Sequence, residues 1–262
     1  FSLFVLFIFV VAALCAGLSP YDPDRMALGA RTLPPDAAHW FGTDEYGRDY
    51  FTRALYGGQI SLMVGFLAML FSTLIGTVVG TVSGYFGGWL DNLMMRAVDI
   101  LMAIPAFFLL LVVNAYLKPG VDNIILIISL LTWMNMSRLV RAETLSVKER
   151  EYVLYARASG EHPLRIIVRH IIPGVLPTII VAATLNIASA ILMESTLSFL
   201  GLGVQAPAAS WGSMLNNAQS YIGEASWLAM FPGILILLTV FSFNVLGDVF
   251  RTAFEPGANR DE

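Results

Sequence analysis

The chain has 262 residues, of which 57% are hydrophobic and 13% charged, and its net charge is −4 at neutral pH. An ordinary soluble domain carries about 25% charged residues, so a water-soluble globular domain is excluded. The apolar residues also come in blocks rather than at amphipathic spacing, and a block of ~20 is enough to cross a bilayer as a helix.

In chain order, the first block runs from Ser2 to Leu18, and a short polar segment is expected ahead of Phe1. Cys15 lies inside this block and is the only cysteine, which excludes a disulfide framework. The Ser19–Gly58 segment is rich in turn formers and carries Asp44, Arg48, Asp49 and Arg53 close together, a composition suited to compact folding outside the bilayer. A second block, Gln59–Tyr85, contains Gly65, Gly76, Gly80 and Gly84. Gly76 and Gly80 form a small-xxx-small pair, which predicts close approach of another helix. The third block is Leu90–Leu117, where Asp99 lies about one turn from Arg96 and reads as a structural i, i+3 pair. The fourth, fifth and sixth are Asn123–Val140, Ile171–Met193 and Trp227–Val249. Lipid offers no partner for free backbone groups, so each block is predicted to be helical. The fold class is therefore all-α, a polytopic membrane protein with six transmembrane helices. It divides into 1–58, the first helix with its external segment, and 59–262, a five-helix core.

The basic residues orient these spans. The Ser137–His170 connection carries Arg138, Arg141, Lys148, Arg150, Arg157, Arg165 and Arg169, whereas the Glu194–Ser226 connection has no Lys or Arg. The positive-inside rule puts the first in the cytoplasm and the second outside, so both termini are expected in the cytoplasm.

Between the fourth and fifth spans, Ser146-Val-Lys-Glu149 has the form of a capping box, predicting a helix from there to about Ser159. Gly160, followed by His162-Pro163, stops it. Ala156, Ala158, Ser159 and Gly160 leave one end of that helix nearly bare, so another protein can approach its backbone closely. Pro173 and Pro177 interrupt the backbone bonding at the start of the fifth span, which predicts a bend where this helix joins it.

Leu154-Tyr155-Ala156, three residues to Gly160, and then Ile171-Ile-Pro-Gly-Val-Leu-Pro177 resemble the Glu-Ala-Ala coupling region of permease subunits of ATP-binding-cassette (ABC) importers. Leu154 and Tyr155 depart from the family's Glu and Ala. Phe41-Gly-Thr-Asp-Glu-Tyr-Gly-Arg-Asp49 is similar to the N-terminal signature of the dipeptide/oligopeptide group of those permeases. Glu194-Ser-Thr-Leu-Ser-Phe-Leu-Gly-Leu-Gly203 with Pro207 and Ser210-Trp-Gly-Ser-Met214 resembles that group's external loop. Phe243-Asn-Val-Leu-Gly-Asp-Val-Phe-Arg251, then Glu255-Pro256, resembles its C-terminal pattern.

The resemblance implies the type I importer permease architecture and a translocation subunit that is not itself an enzyme. It implies ATPase coupling through Glu151, Tyr155, Ala156, Arg157, Ala158, Ser159, Gly160, His162 and Pro163. The binding-protein and gate loop would use Leu200, Gly201, Leu202, Gly203, Pro207, Trp211, Gly212 and Met214. Its partners would be a homologous second permease, two ATP-binding subunits carrying ATP and Mg, and an extracytoplasmic substrate-binding protein, with no nucleic acid. The location would be the plasma membrane of a bacterium or archaeon. Nickel and glutathione importers share the same loop signatures and stand as alternatives to peptide. The sequence contains no phosphate-cradling Gly-x-x-x-x-Gly-Lys-Ser/Thr loop, and its three histidines sit at loops or span edges. A secondary transporter would need buried titratable residues and an inverted repeat, and neither is visible.

Overall fold

A computed structural model describes residues 1–116 and 120–254. Among the described residues the only regular elements are helices. They are α1 (Ser2–Leu14), α2 (Tyr50–Phe86), α3 (Gly88–Met102), α4 (Ala106–Tyr116), α5 (Val121–Val147), α6 (Glu151–Ala158), α7 (Pro163–Ile166), α8 (Ile172–Phe199), α9 (Trp211–Ala218) and α10 (Trp227–Phe254). A π-helical turn, Ile167–Ile171, joins α7 to α8 without a break.

Four of the six predicted spans fall on helices long and apolar enough to cross a membrane: α2, α5, the continuous Pro163–Phe199 and α10. The other two differ. At ~1.5 Å per residue, the 13 residues of α1 reach only about 20 Å. The third span is two helices rather than one, interrupted over residues 103–105. Pro105 lacks the N–H that a continuous helix would use, and its ring clashes with the preceding turn.

The α2–α5 pair is the spine of the molecule, and glycine makes it possible. A Cβ on Gly76 would lie 2.5 Å from the Met136 Cβ, on Gly80 2.6 Å from the Ser137 carbonyl oxygen, and on Gly84 2.8 Å from the Thr144 Cβ. Three glycines four residues apart present one bare face along which α5 runs nearly backbone to backbone, as the Gly76–Gly80 spacing predicts. Polar ties fix the register. Arg141 donates to both oxygens of Asp91 on α3 (2.5 and 2.6 Å), Ser83 donates to the same carboxylate, and Lys148 donates to the Gly84 carbonyl at 2.9 Å. Asp99 pairs with Arg138 on α5 rather than with Arg96 on its own helix.

Residues 19–49 fold tightly against the start of α2. Asp49 caps that helix by accepting from the Thr52 N–H at 2.8 Å, and it also binds His39 Nδ1 at 2.9 Å. Arg48 and Arg53 converge on Asp44 at 2.6 and 3.6 Å, and Arg53 reaches Asp24 at 3.1 Å. The Phe41 ring stacks on Phe231 of α10 at 3.9 Å, and the Tyr50 hydroxyl donates to the Leu228 carbonyl at 2.6 Å. No break occurs at the 58/59 boundary expected from sequence, because α2 starts at Tyr50 and runs straight through it.

Candidate functional site

Two regions carry the residues expected to act, one at each end of the bundle. At the first, α5 does not stop at Val140 but continues to Val147, so Ser146 lies in its last turn and is not an N-cap. The following helix, α6, starts instead at Glu151 after Arg150, without a side-chain cap. Packing overrides the local signal here, since Val140 and Val147 of α5 are both buried in the cluster formed with α6 and α8.

Val153 and Ala156, three residues apart, pin α6 into that cluster beside Ile166, Ile171 and Val175. They are 1% and 8% exposed, so Ala156, expected on a docking surface, faces inward. Gly160 ends the helix with φ +76°. Its N–H donates to the Arg157 carbonyl and the Glu161 N–H to the Ala156 carbonyl, at 3.1 and 3.2 Å, which is the paired pattern of a Schellman cap. Nothing lies within 4 Å of where a Gly160 side chain would start. His162 caps α7 by accepting from the Leu164 N–H, and Pro163 takes the first helical position.

The remaining surface of α6 is open. Glu151, Leu154, Tyr155, Arg157, Ala158, Ser159, Gly160 and His162 are exposed, Tyr155 by 76%. An open groove beside it is lined by Tyr152, Tyr155, Ser159, Glu161, Arg169 and His170, and His170 Nε2 lies 3.2 Å from a Glu161 carboxylate oxygen. The result is a short rod, anchored on one face to the ends of α5 and α8 and bare on the other.

At the opposite end, the loop after α8 divides in two. Leu200, Gly201, Leu202 and Pro207 are exposed; Gly203, Trp211, Gly212 and Met214 are buried. Trp211 is 2% exposed, and its Nε1–H donates to the Ala54 carbonyl of α2 at 2.9 Å. A Cβ on Gly58 would meet the indole at 3.0 Å, and one on Gly212 would meet the Ser195 backbone at 2.5 Å. Half of the residues expected to meet a partner thus form the anchor of the loop, leaving the other half as its exposed lip. That lip and the 19–49 segment together border one cleft, with Asp24, Met26 and Tyr46 on one side and Gln205, Pro207 and Asn217 on the other. Glu45, buried near this cleft, has its carboxyl pushed above the usual range, chiefly because burial disfavours the charged form.

The sequence reading passed over Glu194. It is 0% exposed and collects hydroxyls: Ser198 donates to Oε1 at 2.7 Å, and Ser61 and Ser195 donate to Oε2 at 3.0 and 3.4 Å. An ionisable residue at the end of an apolar run was the available signal. Among the described residues, no three His, Cys, Asp or Glu gather as a metal site.

The chain matches a known class. The sequence profile of the family described as "Binding-protein-dependent transport system inner membrane component" matches residues 73–260, and the chain belongs to that family. It is accordingly a multi-pass protein of the plasma membrane, a permease component of the ABC importers.

Its relatives are specific. The chain is 44% identical over 257 residues to the dipeptide transport system permease protein DppC of Bacillus subtilis (strain 168), covering 98% of this chain and 80% of that one. It is 40% identical to the probable D,D-dipeptide transport system permease protein DdpC of Escherichia coli (strain K12), covering 92% and 81%. It is 43% identical to the glutathione transport system permease protein GsiD of Shigella flexneri serotype 5b (strain 8401), covering 97% and 84%. A solved structure of the MetNI methionine ABC transporter in inward-facing conformations superposes with a TM-score of 0.64 at 20% identity, covering 76% of this chain and 95% of that one.

Proposed function

We propose that this chain is one of two permease halves of an ATP-driven importer of di- and oligopeptides. The relatives named for dipeptide transport support the substrate class. The observation that carries the mechanism is α6, held by Val153 and Ala156 to both neighbouring long helices while its other face stays bare. A separate pair of ATPase subunits, which hold ATP and Mg, grips that face through Glu151, Tyr155, Arg157, Ala158, Ser159, Gly160 and His162. Their closure moves α6 as a rigid lever, and the α5 and α8 ends move with it. The π turn, Pro173 and Pro177 all interrupt regular α-helical bonding next to that lever. The cavity between this chain and a homologous second permease then alternates between its two openings, a rearrangement between two packings. An extracytoplasmic binding protein delivers the peptide to the lip at Leu200–Leu202 and Pro207. The basic 137–170 connection, with both termini, faces the cytoplasm.

The test is uptake of a labelled dipeptide into proteoliposomes that contain this chain, its companion permease and the ATPases, with binding protein on the delivery side. Uptake is expected only with ATP on the ATPase side. Uptake by this chain in the absence of ATPases would overturn the proposal. The 43% identity to a glutathione permease supports a second reading, glutathione as cargo. Competition of dipeptide uptake by excess glutathione separates the two.

A further inference from the structure

Two loop amides and two long helices are referenced to one buried carboxylate. The Val204 N–H donates to the Ser198 hydroxyl at 3.1 Å, and the Ser198 hydroxyl donates to Glu194 Oε1. The Trp211 N–H donates to the Ser61 hydroxyl of α2 at 3.2 Å, and that hydroxyl donates to Glu194 Oε2. Each serine has a single proton. Its oxygen accepts from the backbone amide, and its proton is given to Glu194. The same relay therefore runs twice, from loop amide to hydroxyl to carboxylate, and uses both carboxylate oxygens.

We propose that Glu194 is the positioning residue of the outer gate: it holds the 200–210 loop and the start of α9 down on α2 and α8, and its release by the delivering protein is what licenses the ATPase cycle. This rests on the import reading above. Helix contact alone does not need this carboxylate. Gly65 of α2 already receives Ile191 of α8, one turn away, where an added Cβ would lie 2.5 Å from the Ile191 side chain. What Glu194 adds is a common acceptor for the two serines that receive those amides, one on each helix. Drawing the loop off takes Val204 and Trp211 from their serines, and parting α2 from α8 takes Ser61 from Glu194. Hydrogen bonds in a chain polarise one another, so the amide–serine and serine–carboxylate bonds strengthen each other.

The first measurement uses the full chain in lipid nanodiscs, with Cys15→Ser and a reporter Ala209→Cys at a buried position of the loop itself. Glu194→Gln keeps the side-chain size but puts an N–H₂ where one oxygen accepted a serine proton. Maleimide labelling of the reporter is expected to be at least 10-fold faster than in the Glu194 chain. The second measurement uses the whole transporter. Glu194→Gln is expected to raise ATP hydrolysis in the absence of binding protein and to lower the stimulation ratio at least 5-fold. Labelling within twofold of the parent overturns the clamp, and faster labelling with an unchanged stimulation ratio overturns its gating role. Should Glu194→Gln fail to accumulate in the membrane, Ser198→Ala removes only the Val204 relay and is read by the same two criteria. If the parent transporter itself shows no stimulation by binding protein, the import reading fails, while the labelling result still decides the clamp.

Discussion

Replacing Trp211 by alanine tests whether the outer loop is built around a core residue or around a contact residue. The indole is enclosed by Gly57, Gly58 and Met214, meets Phe9 edge-on with ring centroids 6.2 Å apart, and donates to Ala54. Truncating a buried Trp to Ala costs about 3–5 kcal/mol, of which the lost hydrogen bond accounts for about 1 kcal/mol. Trp211→Phe keeps a ring in the slot and loses the bond and part of the packing, so about 1–2 kcal/mol is expected. For a chain of this size 1 kcal/mol moves Tm by roughly 2–4 °C. The alanine variant should therefore melt about 6–20 °C lower in detergent, and the phenylalanine variant about 2–8 °C lower. The assay is thermal unfolding of the purified chain followed by static light scattering and by fluorescence. An alanine variant melting within 2 °C of the parent would refute the burial argument. It would return Trp211 to the surface as a partner contact.

Three further outcomes are expected. At Gly160 nothing lies within 4 Å of an added Cβ, so the chief cost of Gly160→Arg is the left-handed backbone, about 1–2 kcal/mol. It should insert and fold yet release the ATPase subunits on detergent purification, whereas Gly160→Asn, which tolerates that conformation, should retain them; retention by the Arg variant refutes the docking role. Gly80→Val forces α2 and α5 apart and should abolish accumulation in the membrane, while Gly233→Ala, with open space around it on α10, should be neutral or stabilising by up to about 1 kcal/mol; equal expression of both would refute the close-packed seam. For Glu45, the folded carboxyl binds its proton more tightly than the unfolded one, so its contribution is most favourable at low pH and is lost as pH rises through the folded value. Glu45→Gln should flatten the dependence of Tm on pH above the usual carboxylate range, and an unchanged profile would refute it.

What was legible in the sequence is what repeats locally. The apolar blocks marked the long helices, the four-residue spacing of Gly76 and Gly80 marked a close seam, and Gly160 marked a helix end, which its Schellman cap explains. The misses share a cause, because each depends on a residue far away in the chain. Ser146 reads as a cap until Val147 is seen buried against α6 and α8. Asp99 reads as a partner of Arg96 until α5 brings Arg138 alongside. Trp211 reads as an exposed loop aromatic until two glycines more than 150 residues earlier open a slot for it. Glu194 looked like the edge of a span, and only the fold delivers Ser61 to it. Pro105 is a different case: the break it makes was visible locally, but the length of the surrounding apolar run outweighed it.

The glycine face of α2 has a consequence for how such chains can vary. A helix turns ~100° per residue, so inserting or deleting one residue between Gly76 and Gly84 would rotate the bare stripe off Met136, Ser137 and Thr144 and present bulkier side chains in its place. The same holds for the facing stretch of α5. Length changes are therefore forbidden along this seam, which acts as a ruler for the whole molecule.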